Sequence, residues 1–129
     1  MVPVTESFRS HPSVLFHVRN FLRDRGREAS FPPEMVNDLL VAVTEACANS
    51  MLHTASPEIR VSWRTFDGCV EIEVRDEGVF QRRVRLPEFE GAGGHGIPLM
   101  MALVDEMTIQ EGTARHPGTL VRLVKCRGR

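Results

Sequence analysis

Apolar residues in the first half of the chain recur at the spacing of two amphipathic helices. The first is predicted to follow the start signals Ser10-His11-Pro12 and to stop at Arg25-Gly26. Its apolar positions are Val14, Leu15, Val18, Phe21 and Leu22. The second opens at Pro32-Pro33-Glu34 and reaches about His53, before Thr54-Ala55-Ser56-Pro57 breaks it. Its apolar stripe is Val36, Leu39, Leu40, Val43, Cys47 and Met51. We therefore expect two helices, the second longer than the first.

The pattern then changes to a period of two, which is typical of strands with one buried face. Apolar and polar residues alternate over 58–65 and again over 70–74, on either side of Asp67-Gly68. This spacing predicts a β-hairpin. The periodicity is lost over 77–93, where charged residues and glycine collect, and we expect a mobile loop there.

After the glycine-rich run 91–96, a third helix and two more strands are predicted. The helical apolar positions are Ile97, Leu99, Met100 and Leu103. The strands are expected over 107–110 and 119–125, around a loop from 112 to 118. Helices and strands are thus segregated along the chain rather than alternating. This order predicts an α+β fold, with an antiparallel-rich sheet covered on one face by helices.

Length and composition favour one ordinary globular domain. The 129 residues show no internal repeat or linker, so a single domain is expected over 1–129. The chain is 42% hydrophobic and 26% charged, which disfavours disorder. Sixteen basic residues against seventeen acidic ones leave a net charge of −1, so the positive field of a nucleic-acid-binding protein is missing. Direct binding to nucleic acid is therefore disfavoured.

The cysteines and the N-terminus bear on the cellular compartment. Cys47, Cys69 and Cys126 lie far apart and form no C-x-x-C pair, which fits neither a zinc site nor a dense disulfide framework. We expect them to be reduced and to serve mainly in packing. The N-terminus lacks a basic head followed by an apolar stretch, and no run approaches about 18 apolar residues. These features predict a cytoplasmic protein without a membrane partner.

Polar residues form a line along one edge of the second predicted helix. Glu45, Asn49 and His53 follow one another at helical spacing, opposite the apolar stripe. The small residues around this line are Ala42, Ala46 and Ala48. They would allow a ligand to approach closely. A carboxylate can take a proton while a carboxamide one turn away offers an oxygen to Mg²⁺. A solvated helix face is the alternative reading of the same residues.

Two further signals lie at the end of a predicted strand and at the start of the third helix. Asp76 stands where the strand ends, where a carboxylate can accept from an exocyclic amine and so distinguish adenine from guanine. Gly78 would let a flat ring approach the backbone, although an ordinary turn explains the same pair. The glycines of 91–96 suit an anion at a helix N-terminus, but the run lacks the lysine and Ser/Thr of a Walker A loop. A merely flexible loop is the alternative there.

Taken in order, these signals resemble the motifs of the GHKL ATPases, the superfamily of gyrase and the histidine kinases. The matching segments are Glu45-Ala46-x-x-Asn49-x-x-x-His53, the N box; Asp76-x-Gly78, the first glycine box; Gly94-x-Gly96-Ile97, the second; and Gly118-Thr119, the closing strand signal. Any one of them is weak evidence. Four in the right order, covering roughly 7–125, are specific.

The resemblance implies a Bergerat fold, a two-layer sandwich of a mixed, mostly antiparallel sheet with helices on one face. It implies ATP and Mg²⁺ as cofactors. The nucleotide-binding residues that it implies are Asn49, also the metal ligand, His53, Asp76, Gly78, Gly94, His95, Gly96, Ile97 and Thr119. Glu45 would be the general base. The role of His53 is open between the rim of the site and packing at the helix end.

The short loop before Gly94 and the phrase Ala102-Leu103-Val104-Asp105-Glu106 resemble the stand-alone anti-sigma regulatory group of this superfamily. No segment fits the phospho-acceptor helix that histidine kinases carry ahead of this domain. The resemblance implies a protein-serine kinase, commonly a homodimer, that sequesters a sigma factor. Its substrate would be a serine of an anti-anti-sigma partner, which Glu45 activates for attack on the γ-phosphate.

Three departures from the family pattern keep a second reading open. Phe80 stands where the first glycine box usually has another glycine, and His95 and Pro98 are unusual in and after the phosphate loop. These residues favour a binding module that regulates a partner without phosphoryl transfer. A third reading, a small metal-dependent hydrolase built on Glu45, Asn49 and His53, lacks a complete set of strong ligands.

Overall fold

The computed structural model describes residues 2–54, 56–78 and 96–128. Its elements in chain order are β1 (Val4–Arg9), a 3₁₀ turn (Pro12–Val14), α1 (Leu15–Glu28), α2 (Pro33–His53), β2 (Glu58–Phe66), β3 (Cys69–Asp76), α3 (Gly96–Leu103), β4 (Glu106–Gln110) and β5 (Leu120–Cys126). The strands form one sheet in the order β1-β2-β3-β5-β4. Every neighbouring pair among these strands is antiparallel. The predicted α+β class is confirmed.

The core lies between the helices and one face of the sheet. Alternate residues of the central strands turn inward, which is why Trp63, Ile72 and Leu123 are buried. The buried helical residues that meet them include Val18, Leu22, Leu39, Val43 and Cys47. Burial raises the pKa of the Cys47 thiol to about 12. This cysteine is therefore a protonated packing residue, as the sequence predicts.

The first helix continues past the predicted stop at Arg25-Gly26 and ends at Glu28. The prediction was wrong because Gly26 serves helix packing rather than helix termination. A Cβ at Gly26 would lie 2.6 Å from Cγ2 of Val36 on α2, so only glycine allows this approach of the two helices. The chain turns instead at Ser30, which has a φ of 56°.

Strand β1 was not predicted from the sequence. It pairs with β2 from Val4↔Trp63 to Arg9↔Glu58 and forms one edge of the sheet. Phe8 is its one buried residue, and the three residues before Phe8 are exposed. An edge strand with so little buried surface carries almost no alternating pattern.

Cys69 and Cys126 form a disulfide between β3 and β5. The prediction that all three cysteines are reduced is wrong for this pair. The two residues are direct partners in the register of the two strands, although 57 positions separate them in the sequence. Spacing rules cannot find such a pair, because only the strand order brings the two residues together.

The sheet face opposite the helices carries an ion cluster centred on Glu71. Its carboxylate lies 3.3 Å from Nη2 of Arg64 and 2.6 Å from Nη2 of Arg122. Burial raises the pKa of Glu71, but hydrogen bonds from Arg122 and Arg64 and their positive charges outweigh it. The pKa of Glu71 is therefore lowered overall.

We expect Glu71→Gln to lower the free energy of unfolding by about 1 kcal/mol at pH 7. The contribution of a carboxylate with a lowered pKa is present above its unfolded value and is lost as the pH falls through the folded value. The gap between wild type and variant should therefore begin to narrow below about pH 4 in urea titrations and shrink further as the pH falls. Glu106→Gln is the matched control, since Glu106 is 66% exposed and lies 4.0 Å from the same Arg122. A gap that is independent of pH would contradict the assignment.

Among the described helices, none combines the length and apolar character needed to cross a membrane.

Candidate functional site

A cavity of about 80 Å³ is lined by residues of α2, α3 and the sheet. Five residues predicted for nucleotide binding lie on its wall: Asn49, His53, Asp76, Ile97 and Thr119. Apolar side chains complete much of the lining, and they are Ala46, Val74, Met100, Ile109 and Val121. The structure thus brings together residues from three distant parts of the chain. An apolar slot with a few polar groups suits a flat heterocyclic ring.

Asp76 is the most constrained polar group of this cavity. It is the last residue of β3 and only 2% exposed. Its Oδ1 accepts from the backbone N–H of Gly78 at 2.9 Å and from that of Thr119 at 3.4 Å. Its Oδ2 accepts from the hydroxyl of Ser50, and the hydroxyl of Thr54 lies 3.1 Å away. Such a set of donors keeps a buried carboxylate at one orientation.

The backbone around Asp76 is held by the start of β5. Asp76 N–H donates to the carbonyl of Thr119 at 3.0 Å, and Thr119 N–H donates back at 3.1 Å. The Thr119 hydroxyl accepts from Gly112 N–H at 3.0 Å. Thr119, at 5% exposure, therefore supports the loop before β5 as well as the cavity wall.

Three glycines pack against one another next to Asp76. Gly118 N–H donates to the carbonyl of Gly78 at 3.0 Å. A Cβ at Gly112 would lie 2.5 Å from that carbonyl oxygen and 2.7 Å from the nitrogen of Gly118. Gly78 thus holds the carboxylate of Asp76 through its backbone N–H and is itself held by Gly118. The predicted contact of Gly78 with a base ring stays a prediction.

The polar line on α2 divides between two surfaces. Asn49 and His53 line the cavity beside Asp76. Glu45, one turn earlier, lies instead in a second, open depression of about 410 Å³ between α1 and α2. The other residues of this depression are Arg19, Asn37, Leu40, Val41 and Thr44. Glu45 therefore faces a surface that another macromolecule could reach.

The predicted phosphate loop lies largely outside the described residues. Gly94 and His95 belong to that part, as does Phe80, so their predicted roles stay predictions. Gly96 is the first residue of α3, and Ile97, which follows it, lines the cavity. The start of α3 is thus directed to the same site as Asn49 and Asp76.

Sequence reasoning missed three polar residues of the cavity: Ser50, Thr54 and Glu111. Thr54 was interpreted only as part of a helix breaker, and Ser50 was not singled out. The spacing of four residues on one helix would have placed both hydroxyls on the face that carries Ala46. Glu111 follows the end of β4, and no local pattern marks it.

Within 2–54, 56–78 and 96–128, no group of three His, Cys, Asp or Glu side chains could hold a metal ion. Mg²⁺ that is bound together with a nucleotide typically takes phosphate oxygens and water as ligands in addition to one or two protein oxygens. The amide oxygen predicted for this role is that of Asn49.

Comparison with known proteins shows the family of the chain. The family model described as "Histidine kinase-like ATPase domain" matches residues 8–125. The chain belongs to this family. The resemblance drawn from the four motifs is thereby confirmed. A relative of this ATPase domain is the "Serine-protein kinase RsbW" of Bacillus subtilis (strain 168), 26% identical over 132 residues. The match covers 90% of the chain and 80% of that relative.

Solved structures support the fold. The RsbU and RsbW domains of Rv1364c from Mycobacterium tuberculosis match with a TM-score of 0.76 and 21% identity, over 98% of this chain. This ATPase domain spans about a third of that structure, 32% of its length. The histidine kinase domain of the EL346 blue-light activated histidine kinase from Erythrobacter litoralis matches with a TM-score of 0.57 and 16% identity. That match covers 92% of this chain and 61% of the other.

Proposed function

We propose that this ATPase domain binds ATP with Mg²⁺ and transfers the γ-phosphate to a serine of an anti-anti-sigma partner, and that it also sequesters a sigma factor. One observation carries the nucleotide site: a buried carboxylate, Asp76, is fixed at the wall of an apolar cavity. The match to a relative named as a serine-protein kinase supports the type of acceptor.

The base would lie against the apolar wall with its exocyclic amine on Asp76. An ionised carboxylate only accepts hydrogen bonds, so it favours the 6-amino group of adenine over the 6-carbonyl of guanine. Thr119 and Ile97 would flank the same ligand, and His53 would stand at the rim. The residues present therefore fit an adenine nucleotide.

The phosphates would lie toward the start of α3. Backbone N–H groups at Gly94, His95 and Gly96 are proposed to bind them, since a helix start favours anions. Asn49 would hold Mg²⁺ through its amide oxygen. When bound, the ion neutralises charge on the phosphate oxygens.

Glu45 is the proposed general base. Its position in the open depression beside α1 suits a side chain that must meet a serine of another protein. It would accept the hydroxyl proton as the serine oxygen attacks the γ-phosphorus, while the bond from that phosphorus to the bridging oxygen breaks and ADP leaves. Arg19 lines the same depression and would favour an acidic partner surface there.

A second function has one observation in its favour. Within the described part of the chain, Asn49 and Asp76 line the cavity and Glu45 does not. A domain that binds nucleotide and regulates a partner by occlusion, without phosphoryl transfer, fits this separation. The metal-dependent hydrolase has no such support, because Glu45 and His53 line different surfaces.

The test begins with calorimetric titration of ATP with and without Mg²⁺, which should show tighter binding with the ion. Transfer of ³²P to a candidate serine-bearing partner is then compared between wild type and Glu45→Ala. We expect the variant to bind ATP within about twofold of wild type and to lose transfer by at least 100-fold, as for loss of a general base.

Glu34→Gln is the matched control, because Glu34 is an exposed carboxylate in the first turn of the same helix. It should leave both measurements unchanged. Binding without any transfer by wild type would favour the regulatory module, and absence of nucleotide binding would refute the proposed site. Co-purification would identify the partner, and light scattering would test the proposed homodimer. A cytoplasmic location, expected from the N-terminal sequence, is part of the same proposal, although the bond between Cys69 and Cys126 removes the support that reduced cysteines would have given.

A further inference from the structure

Two hydroxyl side chains that no motif includes meet the carboxylate of Asp76. Ser50 and Thr54 lie four residues apart on and just after α2, so both face the strand end. Ser50 is 7% exposed, and its hydroxyl donates to Oδ2 of Asp76. The Thr54 hydroxyl lies 3.1 Å from the same oxygen. Both residues also line the cavity.

The two carboxylate oxygens are in different situations. Oδ1 is held by two backbone N–H groups, those of Gly78 and Thr119, which cannot turn away. Oδ2 is held by side-chain hydroxyls, which can rotate. Oδ2 is therefore the oxygen whose hydrogen bonds can rearrange, and the residues that make these bonds line the cavity.

Proton counting separates the two hydroxyls. Thr54 has one hydroxyl proton and three acceptors within reach, the carbonyl of Ser50 at 2.7 Å, Oδ2 of Asp76 at 3.1 Å and the hydroxyl oxygen of Ser50 at 3.4 Å. When Thr54 donates its proton to the nearer carbonyl of Ser50, one acceptor position of Asp76 Oδ2 stays open. Ser50 then keeps its hydrogen bond to Oδ2 of Asp76, whereas Thr54 gives up its own hydrogen bond to Oδ2 when a ligand binds.

We propose that Ser50 is a positioning residue that orients Asp76 and thereby sets selectivity for a base with an exocyclic amine, and that Thr54 is a displaceable partner of the same carboxylate oxygen. This inference rests on the proposed nucleotide function. Ser50 fixes the carboxylate plane so that the open position of Oδ2 points to the amine, and Thr54 fills that position when the site holds no ligand.

The test measures two dissociation constants for each variant, one for ADP and one for purine riboside diphosphate, which lacks the 6-amino group. Wild type should prefer ADP. In Ser50→Ala we expect ADP binding to weaken about tenfold while binding of the purine analogue changes less than about twofold. Thr54→Val should change the preference for ADP less than about threefold, because its proton is withdrawn in the complex.

Ser56→Ala is the control for loss of a buried hydroxyl. Ser56 is also 7% exposed, but its hydroxyl bonds to the backbone of Glu58 and Glu77. It should lower stability and leave the preference for ADP intact. Equal weakening of both ligands in Ser50→Ala, or an unchanged preference, would overturn the inference while the proposed function stands. Failure of wild type to bind either ligand would instead refute the proposed function.

Discussion

Replacing Asp76 with asparagine is expected to weaken ADP binding by about 100-fold while the fold persists. The amide oxygen can take the place of Oδ1 and accept from Gly78 and Thr119. The amide nitrogen then replaces Oδ2, and the hydroxyls of Ser50 and Thr54 can rotate to accept from it. The fold loses little, but the group beside the cavity changes from an acceptor to a donor.

An NH₂ group facing the 6-amino group of adenine forms no hydrogen bond, and a bond to a charged acceptor is lost. Such a loss is about 1.5–3 kcal/mol, and about 2.7 kcal/mol corresponds to the expected 100-fold change. Titration calorimetry with ADP measures it, and thermal melting checks the fold. Glu77→Gln, which removes an adjacent carboxylate that is 76% exposed, is the control. Unchanged ADP affinity in Asp76→Asn would mean that Asp76 only joins α2 to the sheet.

Helices and strands whose apolar residues keep a constant spacing along the whole element were predictable from the sequence. The second helix was expected from Pro32-Pro33-Glu34 to about His53 and forms Pro33–His53, because its apolar stripe runs the whole length. The hairpin of β2 and β3 followed from a strict alternation on either side of Asp67-Gly68. Asp67 has a φ of 49° and Gly68 a φ of 76°, as a tight hairpin turn requires.

The features that were missed depend on contacts between distant parts of the chain. Gly26 has the local appearance of a helix stop, and only its contact with Val36 explains why α1 continues. In the candidate site, the motifs indicated Asn49 and Asp76, which meet at one cavity. They could not indicate Ser50, whose hydroxyl reaches the carboxylate of Asp76 only when α2 packs against the end of β3.

Reduction of the disulfide between Cys69 and Cys126 is expected to cost the domain about 4 kcal/mol of unfolding free energy. The bond closes a long loop, since 57 positions separate the two cysteines. The loss of chain entropy in the unfolded state gives this magnitude for a loop of that length. The midpoint of thermal unfolding should fall by roughly 15 °C on addition of dithiothreitol. Adenine-nucleotide affinity should persist below that midpoint, because Cys69 and Asp76 are at opposite ends of β3.

Thiol counting tests whether the disulfide is present, and a double variant tests whether it stabilises the domain. Denatured without reductant, the protein should show one reactive thiol, that of Cys47, and with reductant three. In the folded state Cys47 should not react at pH 8, since burial raises the pKa of its thiol to about 12.

Dithiothreitol should not change the melting of Cys69→Ser/Cys126→Ser, which should unfold near the temperature of the reduced wild type. Three reactive thiols without reductant would show that the pair is not bonded in solution. An unchanged melting midpoint after complete reduction would show instead that pairing of β3 with β5 already holds this end of the sheet.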